Sequence, residues 1–156
     1  MADIKPVFGS STAITITLAS LATGSARQSA AWDWSQWLDI LISLRLQGGA
    51  SGVAATGVVD VYVFATTDST NYTGSAGASD AAITLLAPTD LIFLGRSFLN
   101  GNAQIRKEGP WSLASVFGGT LPASGGIVLV NATGAALDAT ESNHVKTWQG
   151  VRNQVV

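Results

Sequence analysis

The chain has no cysteine, one methionine and one histidine among its 156 residues. Without thiols it has neither a disulfide framework nor a thiolate metal site. Charge is also scarce. Asp, Glu, Lys and Arg make up 12% of the residues, against about 25% in an ordinary soluble domain. Low charge would suit disorder only with low hydrophobicity, and 47% of this chain is apolar. The longest apolar runs, such as "GIVLV" and "DLIFLG", are strand-sized and fall short of the ~18 residues of a membrane-spanning helix. The basic residues Lys5, Arg27, Arg45, Arg96, Arg106, Lys107, Lys146 and Arg152 are scattered and the net charge is −2. No basic stripe marks a nucleic-acid partner. The start, "MADIKPVFG", lacks the basic and apolar stretches of a secretion signal, so synthesis and retention in a cytoplasm are expected.

The usual chemical constellations are missing too. His144 has Glu141 and Ser142 nearby, but no nucleophile elbow accompanies it, and it is expected at the surface or at a hairpin end. The carboxylates are dispersed without calcium-loop spacing, and the glycine-rich stretches do not make a phosphate-binding loop. The expectation is a non-enzymatic protein with no catalytic residue, no cofactor and no metal.

What the sequence does have is period-two alternation. In "LDILISLRLQ", Leu38, Ile40, Ile42, Leu44 and Leu46 alternate with Asp39, Leu41, Ser43 and Arg45, which predicts a half-buried strand. "VVDVYVFATT" (58–67) is apolar on both faces and reads as a central strand. Further strands are expected at 12–18, 81–86 (ended by Pro88), 91–99, 102–108, 126–131 and 145–155, with Asn100-Gly101 as a hairpin turn. "GPWSLASVFGG" is the one helix candidate, with Pro110 at its first position and Gly118 past its end. The sum predicts an all-β fold, an antiparallel two-sheet β-sandwich of jelly-roll type. Residues 12–156 form its single domain, and residues 1–11 an extended N-terminal arm.

The low charge suggests that other protein covers much of the surface. Ile4, Val7 and Phe8 are apolar residues of the arm without an element of their own. Trp32, Trp34 and Trp37 crowd into six positions. On one continuous strand Trp32 and Trp34 would share the core parity of Leu38 and Ile40. Gln36 breaks that parity, so a bulge or turn near Ser35-Gln36 is expected. Trp37 then falls with Asp39 and Leu41 on the less buried face, and Trp148 falls on the polar-looking face of the last strand. The alternatives for the indoles are core, subunit contact, sugar-stacking platform and membrane belt. Tryptophan is enriched at interfaces, so at least one is expected at a subunit boundary, Trp37 first. The interface candidates are Ile4, Val7, Phe8, Trp32, Trp34, Trp37, Leu41 and Trp148.

Several stretches carry a resemblance: "STAITITLASLATGSARQS", the run from Leu38 to Ser75, "SDAAITLL" and, most specifically, Phe117 to Val156. Over most of its length the chain resembles small virion structural proteins of tailed bacteriophages. The resemblance implies a particle component made in the host bacterial cytoplasm, a capsid decoration (cement) protein. Its partners would be its own copies, as a homotrimer, and the major capsid protein; from charge and run length no direct nucleic acid and no membrane are expected, and a glycan is disfavoured. A neck, tail or baseplate subunit and a carbohydrate-binding module are the alternatives. The tryptophan cluster is not part of the resemblance.

Overall fold

The computed structural model describes residues 3–87 and 89–155. Pro88, expected to end a strand, lies outside the described residues, as do Met1 and Ala2 of the expected arm. Two antiparallel sheets face each other. The first has the order β1 (Ile4–Phe8), β11 (Val145–Val155), β5 (Asp39–Gln47), β9 (Ile105–Ser112), and the short β2 (Thr12–Ala13) also pairs with β11. The second has the order β7 (Ala81–Ile83), β3 (Ala26–Gln28), β10 (Ser124–Ala132), β6 (Val58–Thr66), β8 (Ile92–Ser97), with β4 (Trp32–Asp33) also on β10. The two-sheet antiparallel sandwich expected from the alternation is what forms.

The strand patterns follow from the layers. β5 buries Ile40, Ile42, Leu44 and Leu46 between the sheets, and its other side chains are less covered. There they meet Val59, Val61 and Val63 of β6 and Ile127 and Leu129 of β10 in the main core. β6 is apolar on both faces because both faces are covered. Its outer face joins a second cluster of Ala26, Phe64, Leu91 and Val128, against which Tyr72, Ile83 and Leu85 pack. Gln28 reaches outward from β3, fully buried, and ties down the polar loop that follows β6. Its Nε2 donates to the Gly77 and Ser79 carbonyls, and its Oε1 accepts from the Ala76 amide.

Four sequence expectations change. Asn100-Gly101 does not make a hairpin: β8 lies in the second sheet and β9 in the first, so the turn carries the chain across the sandwich. The helix α1 (Leu113–Val116) is a single turn. Ser112 caps it by accepting from the Ser115 amide, and Pro110 stays in β9. Gly118, at φ +71°, follows its C-cap as expected. Residues 14–18 alternate as a strand does, with Ile14, Ile16 and Leu18 buried and Thr15 and Thr17 exposed, yet the ladder stops at Ala13. The stretch at residues 4–8 is not an arm lacking an element. It is β1, in antiparallel register with Val151–Val155 of the same chain.

Candidate functional site

Beyond Val151, β11 has no partner on the β5 side among the described residues, because β5 begins at Asp39, opposite Val151. From there β1 and β11 continue as a two-stranded ribbon. The register pairs Ile4 with Val155 and Phe8 with Val151, so these four share one face, the outer face of the first sheet. Leu41, opposite Gln149, lies on the same face. Ile4, Phe8 and Val155 are 68%, 57% and 66% exposed, so the chain leaves this row of large apolar side chains uncovered. Val7 projects from the other face, opposite Arg152, and is half-buried. The Gly9 amide donates to the Gly150 carbonyl. By strand alternation the amide positions of Ile4, Pro6 and Phe8 point away from β11, to the open edge. Pro6 has no N–H to offer there, which blunts the edge against pairing with further strands.

The tryptophans lie elsewhere. Trp34 is fully buried in the main core, so it is not an interface residue. Trp32 stacks on Trp148 with centroids 5.8 Å apart and planes 18° from parallel. Trp32 also meets Trp34 edge-on at 5.8 Å, and Trp37 meets Trp148 edge-on at 6.0 Å. The parity assigned to Trp37 fails because residues 34–37 form a turn, closed by the Trp37 amide donating to the Trp34 carbonyl. Asp33 accepts from the Ser35 amide in the same turn, and this bond, with one from the Ser35 side chain, holds its carboxyl below the usual range. Out of strand register, the Trp37 indole turns inward over Gly150 and Gly9, where any side chain would collide with it. The Arg152 guanidinium sits 5.8 Å from the centre of its ring.

Trp148 is also corrected. The register sets it opposite Ile42, and Lys146 opposite Leu44, so the core-facing side of β11 is Lys146, Trp148 and Gly150, not the valines. Lys146 is tolerated there because its ammonium is paired with the Glu141 carboxylate. The indole faces and edges are thus spent on one another, and the Nε1–H groups of Trp32, Trp34 and Trp37 are buried without a protein acceptor. A sugar platform needs open ring faces, and here Trp32 and Trp148 stack on each other while Trp34 is fully buried.

His144 is buried rather than at the surface. Its Nδ1 accepts from the Gln47 amide at 3.4 Å, and Nε2 donates to the Asp138 carbonyl at 3.0 Å. It ties a loop to the end of β5. Among the described residues, no three His, Asp or Glu side chains are grouped to hold a metal ion.

Of the sequence candidates, the structure brings Ile4, Phe8 and Leu41 onto one exposed face. It places Val7 on the reverse of the ribbon and folds the tryptophans inward. Val151 and Val155 complete the face and were missed. Their alternation with Arg152 was visible, but their outward direction is set by the pairing of Lys146 and Trp148 with β5. Compared with protein-family models, with curated proteins and with solved structures, the chain matches none.

Proposed function

We propose that this protein is a non-enzymatic virion structural protein of tailed bacteriophages, a capsid decoration protein that joins neighbouring capsid subunits and opposes the pressure of packed DNA. The observation that carries the reading is the ribbon face on which Ile4, Phe8 and Val155 stand exposed beside the half-buried Val151, with no other described residue covering them. Fully covering a large aliphatic or aromatic side chain is worth about 1.5–3 kcal/mol. Ile4, Phe8 and Val155 are between 57% and 68% exposed, so covering them would supply roughly 3–6 kcal/mol before the costs of association. That suits a subunit held by many copies on a lattice. The scarcity of charge on a well-packed sandwich supports the same reading, as does the resemblance of the C-terminal run. In this proposal the chain acts as an oligomer, trimeric by the resemblance, seated on the major capsid protein.

The test is addition of the purified, labelled protein to preformed expanded heads, followed by sedimentation and cryo-imaging. Decoration predicts regular density over the shell. It also predicts that Ile4→Asp/Phe8→Asp, both changes falling on exposed positions, folds normally and fails to bind. Density confined to the neck or tail would replace the decoration role with the alternative structural one. Binding by the double variant equal to wild type would remove the ribbon from the argument.

A further inference from the structure

Residues 14–19 cross from the first sheet to the second along the side where β11 faces β3. The Ile14 amide donates to the Lys146 carbonyl of β11, and the Thr15 carbonyl accepts from the Ala30 amide just past β3. Among the described residues, no neighbouring strand accepts from Thr17, Leu18 or Ala19, and side chains supply the acceptors; the Ser20 amide returns to a backbone partner, the Asp138 carbonyl. Asp80 Oδ2 accepts from the Thr17 amide at 3.1 Å and from its hydroxyl at 2.7 Å. Glu141 Oε2 accepts from the Leu18 amide at 2.8 Å and the Ala19 amide at 2.7 Å. Each carboxylate has its own cation. Arg27 Nε of β3 lies 2.6 Å from Asp80, and Lys146 of β11 pairs with the other oxygen of Glu141. Arg27 also feels the charge of Glu141. On the far side of the 3-10 turn (Glu141–Asn143), Asp138 accepts from Thr140, Asn143 and Gln47, and His144 is engaged with Gln47 and the Asp138 backbone.

We infer that residues 15–19 form an acid-releasable strap, in which two ionised carboxylates stand in for a neighbouring strand and their protonation frees the segment while both sheets stay folded. A carboxylate accepting several N–H bonds beside a cation is a stronger partner than the neutral acid. Burial pushes both carboxyls up, but for Asp80 the bonds from Arg27 and Thr17 outweigh it, and for Glu141 those from Lys146, Ala19 and Leu18 do. Both groups therefore titrate below their unfolded values of about 4. Their contribution is complete above that pH and is lost as the pH falls through the lower folded values. Below them, the buried side chains of Ile14, Ile16 and Leu18 and the backbone bonds at its ends (Ala30 amide to the Thr15 carbonyl, Ser20 amide to the Asp138 carbonyl) remain, while residues 17–19 between those bonds lose their acceptors and the sides of β11 and β3 that they cover become accessible.

The experiment is amide hydrogen exchange on the whole chain, with protection factors corrected for the intrinsic pH dependence, from about pH 5 to pH 3. The expected result is at least a tenfold loss of protection at Thr17, Leu18 and Ala19, with Val61 and Leu129 at the sandwich centre unchanged. The Asp80→Asn/Glu141→Gln variant keeps an acceptor oxygen at each site but cannot titrate there. Its strap should be weakly protected at pH 5 and insensitive to acid. Strap protection that survives acid, or that falls only together with Val61 and Leu129, would overturn the inference. So would a wild-type pH profile in the double variant. If that variant does not fold, the wild-type comparison of strap with core decides alone.

Discussion

Adding one methyl group at Gly150 distinguishes an indole that belongs to the fold from one reserved for a partner. The Gly150 backbone is not left-handed, so alanine suits the strand. Through the unfolded chain alone it would stabilise the protein by about 0.4–1 kcal/mol. Its Cβ, however, would fall on the fused rings of Trp37. Forcing a methyl into a filled site costs about 1–3 kcal/mol. In a Trp37→Ala background the ring is gone, and the same methyl finds room. Trp37→Ala itself should cost up to about 3–5 kcal/mol, the range for a buried aromatic, and toward its lower end because Trp37 is only half-buried. Gly150→Ala should thus change sign between backgrounds, from destabilising in the wild type to neutral or stabilising in Trp37→Ala. The unfolded-chain effect is common to both backgrounds and cancels, so the coupling is the steric cost alone, about 1–3 kcal/mol. Urea unfolding of the four proteins, followed by far-ultraviolet circular dichroism, measures it. With a slope of about 2 kcal/mol per molar urea, 2 kcal/mol displaces a midpoint by about 1 M. Equal displacement in both backgrounds would refute the packing argument and return Trp37 to the list of residues open to a partner.

Gln28→Leu keeps the side chain's approximate size and strips the Ala76 amide and the Gly77 and Ser79 carbonyls of their partner. It should cost about 1–3 kcal/mol, the range for one buried group left unpaired, because Ala76 and Ser79 are exposed and their freed groups turn to water. Limited proteolysis should find new cleavage within residues 68–80. Deleting residues 1–8 should leave the sandwich folded but strip β11 of its sole ladder beyond Val151. The Arg152 and Gln154 amides should then exchange at unprotected rates, and retained protection would mean that another element covers them.

The parts of the fold legible in the sequence are those where one residue type per face decides the burial. β5 and β6 appear where the alternation placed them, except that Leu38, read with the buried face, lies before β5 and is exposed, and the single-turn helix ends at its glycine. What was not legible depends on pairings distant in sequence. Asn100-Gly101 has hairpin chemistry, but whether two strands pair is decided by the sheets they join, and β8 and β9 join different ones. β11 shows its alternation plainly, yet its inward direction is reversed. Its buried lysine is explained only by Glu141, and its buried glycine only by the ring of Trp37. The N-terminal segment lacks periodicity because only Val7 of β1 is even half-buried, so neither face strongly selects its side chains. For the candidate site, Ile4 and Phe8 were visible as apolar residues without a core. Their alignment with Val151 and Val155 emerges only from the register.

The indole cluster also determines how the molecule handles light. Trp34, Trp32, Trp148 and Trp37 touch in sequence, with each contact at or below 6.0 Å between centroids. The remaining one, Trp111, packs against Gly95. Rings this close favour transfer of excitation among the four, and transfer across the edge-on pairs, whose planes lie 65° and 73° apart, would lower the polarisation of the emission even in a rigid molecule. Intrinsic fluorescence therefore reports chiefly on the end of the sandwich where the turn at residues 34–37 meets β11. Recovery of polarisation would signal that these rings have separated, whatever the rest of the chain is doing.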